Sequence, residues 1–122
     1  MSKHIIKVKR VYDDNSAEYG KRILCDRLWP RGISKEKLKL DLWSKSMAPS
    51  NELRKKYHDG EISFDDFKKA YLAELDGSGE SVSFINQVRE YLKNEDVILL
   101  FSSKMIEENN ATVLKEYLEK NI

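Results

Sequence analysis

A chain of 122 residues, 40% apolar and with a formal net charge of +1, is long enough for one hydrophobic core and too apolar to be a disordered segment. Its single cysteine excludes an internal disulfide, and two histidines with no C-x-x-C pair leave a structural zinc site without a ligand set. Lysines break the apolar runs near the N-terminus and no run approaches the ~20 apolar residues of a membrane span, so the expectation is one cytoplasmic domain over 1–122 with no membrane partner.

Residues 4–12 mix β-branched residues with lysines and predict a first strand, with Ile6 and Val8 toward the core. Asp13-Asp14-Asn15-Ser16 is a turn cluster, and Tyr19-Gly20 closes the loop. The apolar centre of 22–26 predicts a second strand buried on both faces. Pro30 cannot donate to a ladder and Gly32 admits a positive φ, so the chain turns after that strand. Ser34 is placed to N-cap a short helix running to Leu38 or Leu40, with Glu36 in its first turn. Residues 40–43 lack periodicity and read as an extended connector that packs Leu42 and Trp43 on the core.

Ser50 opens the next helix, where Leu53 and Tyr57 form an apolar i, i+4 pair before His58-Asp59-Gly60 ends it. Ser63 caps a helix with Phe64, Phe67, Tyr71 and Leu75 along one stripe, stopped by Asp76-Gly77-Ser78-Gly79. Ser81 starts a helix that turns Ile85, Val88 and Leu92 inward. Asp-Val-Ile-Leu-Leu-Phe over 96–101 is apolar almost throughout and too short for a helix, hence a strand. Asn109-Asn110 leads into a last helix with Ala111, Leu114, Tyr117 and Leu118 on one face.

This order gives an α/β fold: a small, mainly parallel sheet of about three strands flanked by helices. If strands 22–26 and 96–101 are parallel neighbours, their carboxyl ends bring Asp26-Arg27 beside Ser102-Ser103-Lys104. Ligands of open α/β sheets collect at such a rim.

The charge is unevenly spread. Residues 20–58 hold eleven Lys/Arg against four Asp/Glu, a balance of +7; residues 59–122 hold seven against fourteen, a balance of −7. Either the halves neutralise each other across the fold, or a basic surface draws an anion. Arg27, Arg31 and Lys35, at a spacing of four, are candidate anion ligands, with Ser34 as a further donor at the helix start. Arg54 and Lys104 are possible clamps, and Trp29 can stack on a planar ligand or pack in the core. Asp26 is a candidate general base, although orienting Arg27 is the simpler task for it. His58 beside Asp59 suits proton transfer or helix capping. Glu107, Glu108, Asn109 and Asn110 can hold a water or hard cation, or cap the last helix. Cys25 lies inside a strand and reads as a small core hydrophobe. Glycine-rich phosphate loops are absent and the residues name no cofactor.

Asp-Arg-Leu-Trp-Pro-Arg-Gly-Ile-Ser-Lys at 26–35, Asp-Leu-Trp-x-Lys at 41–45, Ala-Pro-Ser-x-Glu-Leu-Arg at 48–54 and Asn-Asn-Ala at 109–111 resemble the YeaO-like branch of domain of unknown function family 488. The order and spacing fit over 10–118. The resemblance implies a small cytoplasmic α/β protein and brings no activity with it. Its pattern falls on Asp26, Arg27, Trp29, Pro30, Arg31, Gly32, Lys35, Trp43, Pro49, Ser50, Leu53, Arg54, His58, Tyr71, Glu74 and Asn109, while Glu108 stands where relatives carry a histidine.

Two functions follow as expectations. One is binding of a small phosphate- or carboxylate-bearing ligand at the loop after the second strand, with or without catalysis through Asp26 or His58. The alternative is a non-catalytic adaptor whose basic face meets an acidic protein or a nucleic acid, the latter disfavoured by the modest excess of base.

Overall fold

The strands β1 (Ile6–Arg10), β2 (Lys21–Leu24), β3 (Leu42–Trp43) and β4 (Val97–Phe101) form one sheet in the order β1-β4-β2-β3, all pairs parallel. This architecture comes from a computed structural model, which describes residues 4–13 and 19–122. Parallel neighbours need a crossover, and the long helical segment between β2 and β4 supplies one. The most apolar strand, β4, therefore sits inside the sheet, pairing Val97 with both Ile6 and Lys21 and Leu100 with both Lys9 and Leu24. All five of its residues are buried.

Side-chain alternation along the inner strands divides the core. Ile23, Cys25, Val97, Leu99 and Phe101 face the larger cluster, which takes the apolar stripes of α2 (Asn51–His58), α3 (Phe64–Gly77), α4 (Ser81–Leu92) and α5 (Asn110–Asn121). Leu24, Ile98 and Leu100 face a smaller cluster with Val11, Leu38 of α1 (Lys35–Leu38), and the half-buried Trp29, Ile33, Leu40 and Trp43. On that side Arg22 is buried and its Nε donates to the Leu38 carbonyl at 2.9 Å.

Two predicted elements take a different form. The connector over 40–43 contributes a fourth strand: Leu42 and Trp43 pair with Ile23 and Leu24, flanked by Asp41 N–H to Arg22 O and Ser44 N–H to Leu24 O. Two residues cannot show an alternation, so periodicity alone leaves such an edge strand invisible. The first strand stops at Arg10, where a 3₁₀ turn over Val11–Asp13 turns Val11 into the smaller cluster. The rest of the predicted turn cluster, 14–16, lies outside the described residues.

The helix caps follow the serines and asparagines. The Ser34, Ser50 and Ser63 hydroxyls accept from the N–H groups of Lys37, Leu53 and Asp66, and Asn109 forms a capping box with Thr112. Buried Ser81 instead donates back to the Leu75 carbonyl, tying the start of α4 to the end of α3. Among the described residues no helix is long and apolar enough to cross a membrane.

At the amino edge of the sheet, Asp96 joins three strands. Its carboxylate accepts the Ile5 N–H at 2.9 Å and meets Lys7 Nζ at 3.3 Å, while its carbonyl accepts the Lys21 N–H at 2.8 Å. Gly20 has φ +150°, and a Cβ there would lie 2.7 Å from the Asp96 oxygen. The Ile5 N–H and then the Lys7 ammonium hold the Asp96 carboxyl below the usual carboxylate range. A carboxyl whose pKa is depressed on folding stabilises the fold above its unfolded pKa and loses that contribution as pH falls through the folded value. Denaturant midpoints are thus expected to decline on acidification below about pH 4, the ordinary carboxylate pKa. Asp96→Asn should lower the neutral-pH midpoint and make that decline shallower; an unchanged acid slope would refute the assignment.

Candidate functional site

Asp26, two residues beyond the end of β2, organises the carboxyl rim of the sheet. Its Oδ2 accepts the Ser102 N–H at 2.9 Å and the Ser102 hydroxyl at 2.6 Å, and its Oδ1 accepts Asn110 Nδ2 at 3.0 Å. The same Asn110 amide reaches the Cys25 carbonyl at 3.1 Å, and Trp43 Nε1 donates to the Asp26 carbonyl at 2.7 Å. One residue therefore holds the exits of β2 and β4, the first turn of α5 and the edge strand β3. The two polar exits share a rim, as the parallel pairing requires. Asp26 does not orient Arg27: its carboxylate takes its donors from Ser102 and Asn110. The Arg27 guanidinium turns to the carbonyls of Pro49 at 3.3 Å and Ala48 at 3.5 Å.

The loop beyond Asp26 is folded back over the smaller cluster. Trp29 Nε1 donates to the Ile33 carbonyl at 2.6 Å, and its ring meets Trp43 edge-on at 5.3 Å between centroids. Gly32 turns the chain at φ +80°, and the Tyr12 hydroxyl donates to the Arg31 carbonyl at 2.8 Å from β1's side of the sheet.

Between this loop, α2 and the segment after β4 lies a cleft of about 970 Å³. Arg27, Leu28, Trp29, Pro30 and Arg31 line one side; Pro49, Arg54, Tyr57 and His58 line another; Ser102, Ser103, Lys104 and Met105 close it with Asn109 and Asn110. Arg54 and His58 stand one helical turn apart on α2. Among the described residues, Arg27, Arg31, Arg54 and Lys104 have no ion pair. Arg10 also lines the cleft but is engaged, donating to the Ser103 carbonyl at 2.9 Å and pairing with Asp13 at 3.6 Å.

Not every candidate from the sequence reaches this place. Ser34 and Lys35 do not line the cleft: the turn at Gly32 carries them onto α1, where the Ser34 hydroxyl caps the helix. Asn109 borders the cleft but is 2% exposed, and its side chain is used internally: Nδ2 donates to the carbonyls of Met105 and Ile106, and Oδ1 accepts the Thr112 N–H. The acidic pair Glu107 and Glu108 is exposed on the preceding loop, and among the described residues no cluster of His, Cys, Asp and Glu has the makings of a metal site.

Other residues join the rim without a sequence signal. Tyr57 reads as a core partner of Leu53, yet its hydroxyl donates to the Glu108 carbonyl at 2.8 Å while its ring stacks on Phe67 at 4.6 Å. Burial, then the nearby Glu108 charge, pushes the Tyr57 phenol up and keeps it a donor. Cys25 is fully buried; burial, then the Asp26 charge, raises its thiol well above the ordinary range, which suppresses the nucleophilic thiolate. Tyr71 is likewise buried with its phenol raised, first by burial, and its hydroxyl donates to the Met47 carbonyl beneath the site.

A family model described as "Inactive DUF488-N3 subclade", DUF488-N3i, matches residues 5–122. The chain belongs to the DUF488 family. Within the family it is 42% identical over 113 residues to the protein called uncharacterized protein YeaO of Escherichia coli (strain K12), covering 93% of this chain and 96% of that one. It is 34% identical over 113 residues to uncharacterized protein Rv3073c of Mycobacterium tuberculosis (strain ATCC 25618 / H37Rv) and to Mb3100c of Mycobacterium bovis, covering 93% of this chain and 92% of each. No solved structure matches the chain.

The clasp at Asp26 has a measurable weight. Asp26→Ala leaves the Ser102 N–H and one Asn110 proton without their partner, and hydrogen bonds to a charged acceptor contribute roughly 1.5–3 kcal/mol each. A loss of about 3 kcal/mol in denaturant stability is expected, with Asp26→Asn costing less because an acceptor oxygen remains. A change within the roughly 0.5 kcal/mol typical of surface substitutions would contradict the clasp.

Proposed function

We propose that this DUF488 cleft is a non-catalytic receptor for a small anionic ligand bearing phosphate or carboxylate groups. The observation that carries the reading is the convergence of Arg27, Arg31, Arg54 and Lys104, all without ion pairs among the described residues, on one concavity. An exposed cation needs no partner, but several around one cleft repel each other and raise the local positive potential until an anion enters. Arg27 is oriented by long contacts to two backbone carbonyls, at 3.3 and 3.5 Å, and a planar guanidinium matches the geometry of an oxyanion.

Three features favour binding over catalysis. Both oxygens of Asp26, the first candidate base, already accept structural donors. Cys25 is sealed inside the sheet with its thiol pKa raised. The matching subclade is described as inactive. His58 lines the cleft and serves as a further ligand contact in this reading. A concave setting for the basic residues favours a small ligand over the adaptor alternative, in which they would lie on a flat or convex face.

Thermal-shift assays at low ionic strength with inorganic pyrophosphate, phosphate and citrate test the proposal. At 100 times its dissociation constant a ligand adds about 2.7 kcal/mol of stability. Pyrophosphate or citrate should raise the melting temperature, salt should weaken the effect, and the combined variant Arg31→Ala, Arg54→Ala, Lys104→Ala should fold normally and abolish it. No shift from any of these anions, or a shift retained by the triple variant, would reject the reading.

A further inference from the structure

The cleft offers more than charge, and the additional walls narrow the ligand. Its volume of about 970 Å³ is near the top of the roughly 300–1,000 Å³ range of pockets that enclose whole cofactors or drug-sized molecules. A lone phosphate or citrate would leave most of it as water. Two aromatic rings are built into different walls, and each is immobilised twice. Trp29 is fixed by its N–H on the Ile33 carbonyl and by the edge of Trp43. Tyr57 is fixed by its hydroxyl on the Glu108 carbonyl and by its stack on Phe67. Rings held in this way lose little freedom when a flat ligand packs on them. Each ring also has an arginine close along the chain: Arg31 follows Trp29 by two residues, and Arg54 precedes Tyr57 by three.

Apolar surface continues to the mouth. Leu28 is 62% exposed and Met105 49% exposed, and both line the cleft. A site built only for a small inorganic anion has no use for exposed apolar side chains beside its cations. A ligand with a flat, partly apolar body and a polyanionic end meets both kinds of wall. Base–aromatic stacking beside arginine-bound phosphate is that combination.

We propose that the ligand is a free nucleoside diphosphate, its base packed against the ring of Trp29 or Tyr57 and its diphosphate among Arg27, Arg31, Arg54 and Lys104. The proposal rests on the anion-receptor reading above and adds the nucleoside to it. No glycine-rich loop is involved: side-chain cations replace the backbone cradle.

Calorimetric titration of the full chain with ADP, inorganic pyrophosphate, adenosine and a 5′-phosphorylated single-stranded oligonucleotide tests it, with tryptophan fluorescence as a second readout. ADP should bind on the order of ten- to a hundredfold more tightly than pyrophosphate, the range that stacking of one base on an aromatic side chain provides. ADP should quench the fluorescence of a Trp43→Phe variant, in which Trp29 is the remaining tryptophan, and pyrophosphate should not. Tyr57→Leu and Trp29→Leu are two separate ring variants, so that one remains informative if the other fails to fold. At least one should bring ADP down to the affinity of pyrophosphate while leaving pyrophosphate binding intact.

Equal affinity for pyrophosphate and ADP would overturn the nucleoside and leave the anion receptor standing. Absence of binding by both would overturn the two together. Adenosine binding as tightly as ADP would remove the diphosphate from the proposal, and an oligonucleotide binding more tightly than ADP would replace the free nucleotide with a strand end.

Discussion

The half-buried carboxylate of Asp26 fixes the carboxyl rim of the sheet. A parallel sheet leaves the last N–H groups of its strands pointing at whatever follows, and here one of them, on Ser102, is answered by an anionic acceptor from the neighbouring strand. The same carboxylate takes the Ser102 hydroxyl and the Asn110 amide, so β2, β4 and α5 leave the rim in fixed directions. Trp43, bonded to the Asp26 carbonyl, extends this arrangement to the edge strand and gives Trp29 a ring to rest on. The cleft is what remains between elements so directed.

The charge around the cleft follows from this economy. Asp26 is turned inward to its donors, and among the described residues Arg27 makes no ion pair. That guanidinium is met by neutral carbonyl oxygens of 48 and 49, which orient it and leave its charge intact. Arg10, in contrast, pairs with Asp13 and braces the segment after β4 through the Ser103 carbonyl. Cations in ion pairs and cations without them thus sit side by side along the cavity. The negative surplus of 59–122 is directed elsewhere in the pairs that the structure records: Glu116 meets Lys68 and Lys120, Glu95 meets Lys21, and Asp96 meets Lys7.

Much of this could be read from the residues. The apolar run before 26 and the run over 96–101 are unambiguous strands because nothing else buries so many consecutive side chains in so few residues. Their parallel pairing then places Asp26 beside Ser102 by topology alone. Capping serines and asparagines mark helix starts with similar clarity. What escaped was of two kinds. The strand at Leu42–Trp43 is held by its neighbour's ladder, so its own pattern carries no signal. Near the rim, spacing does not give side-chain direction. Lys35 follows Arg31 by four residues, but no helix connects them; Gly32's positive φ breaks the period and sends Lys35 onto α1. Tyr57 reads as core because its ring is core, while its hydroxyl end lies at the cleft.

The proposed ligand site is one place, defined by Asp26 and walled by residues from three segments. Backbone and arginine side-chain NMR shifts followed during titration with pyrophosphate examine that place directly. The account predicts saturable changes confined to 26–31, 54–58 and 102–105, including the Nε signals of Arg27, Arg31 and Arg54, with little change at 35–39. Changes spread over exposed lysines throughout the chain, or strongest on α1, would contradict it.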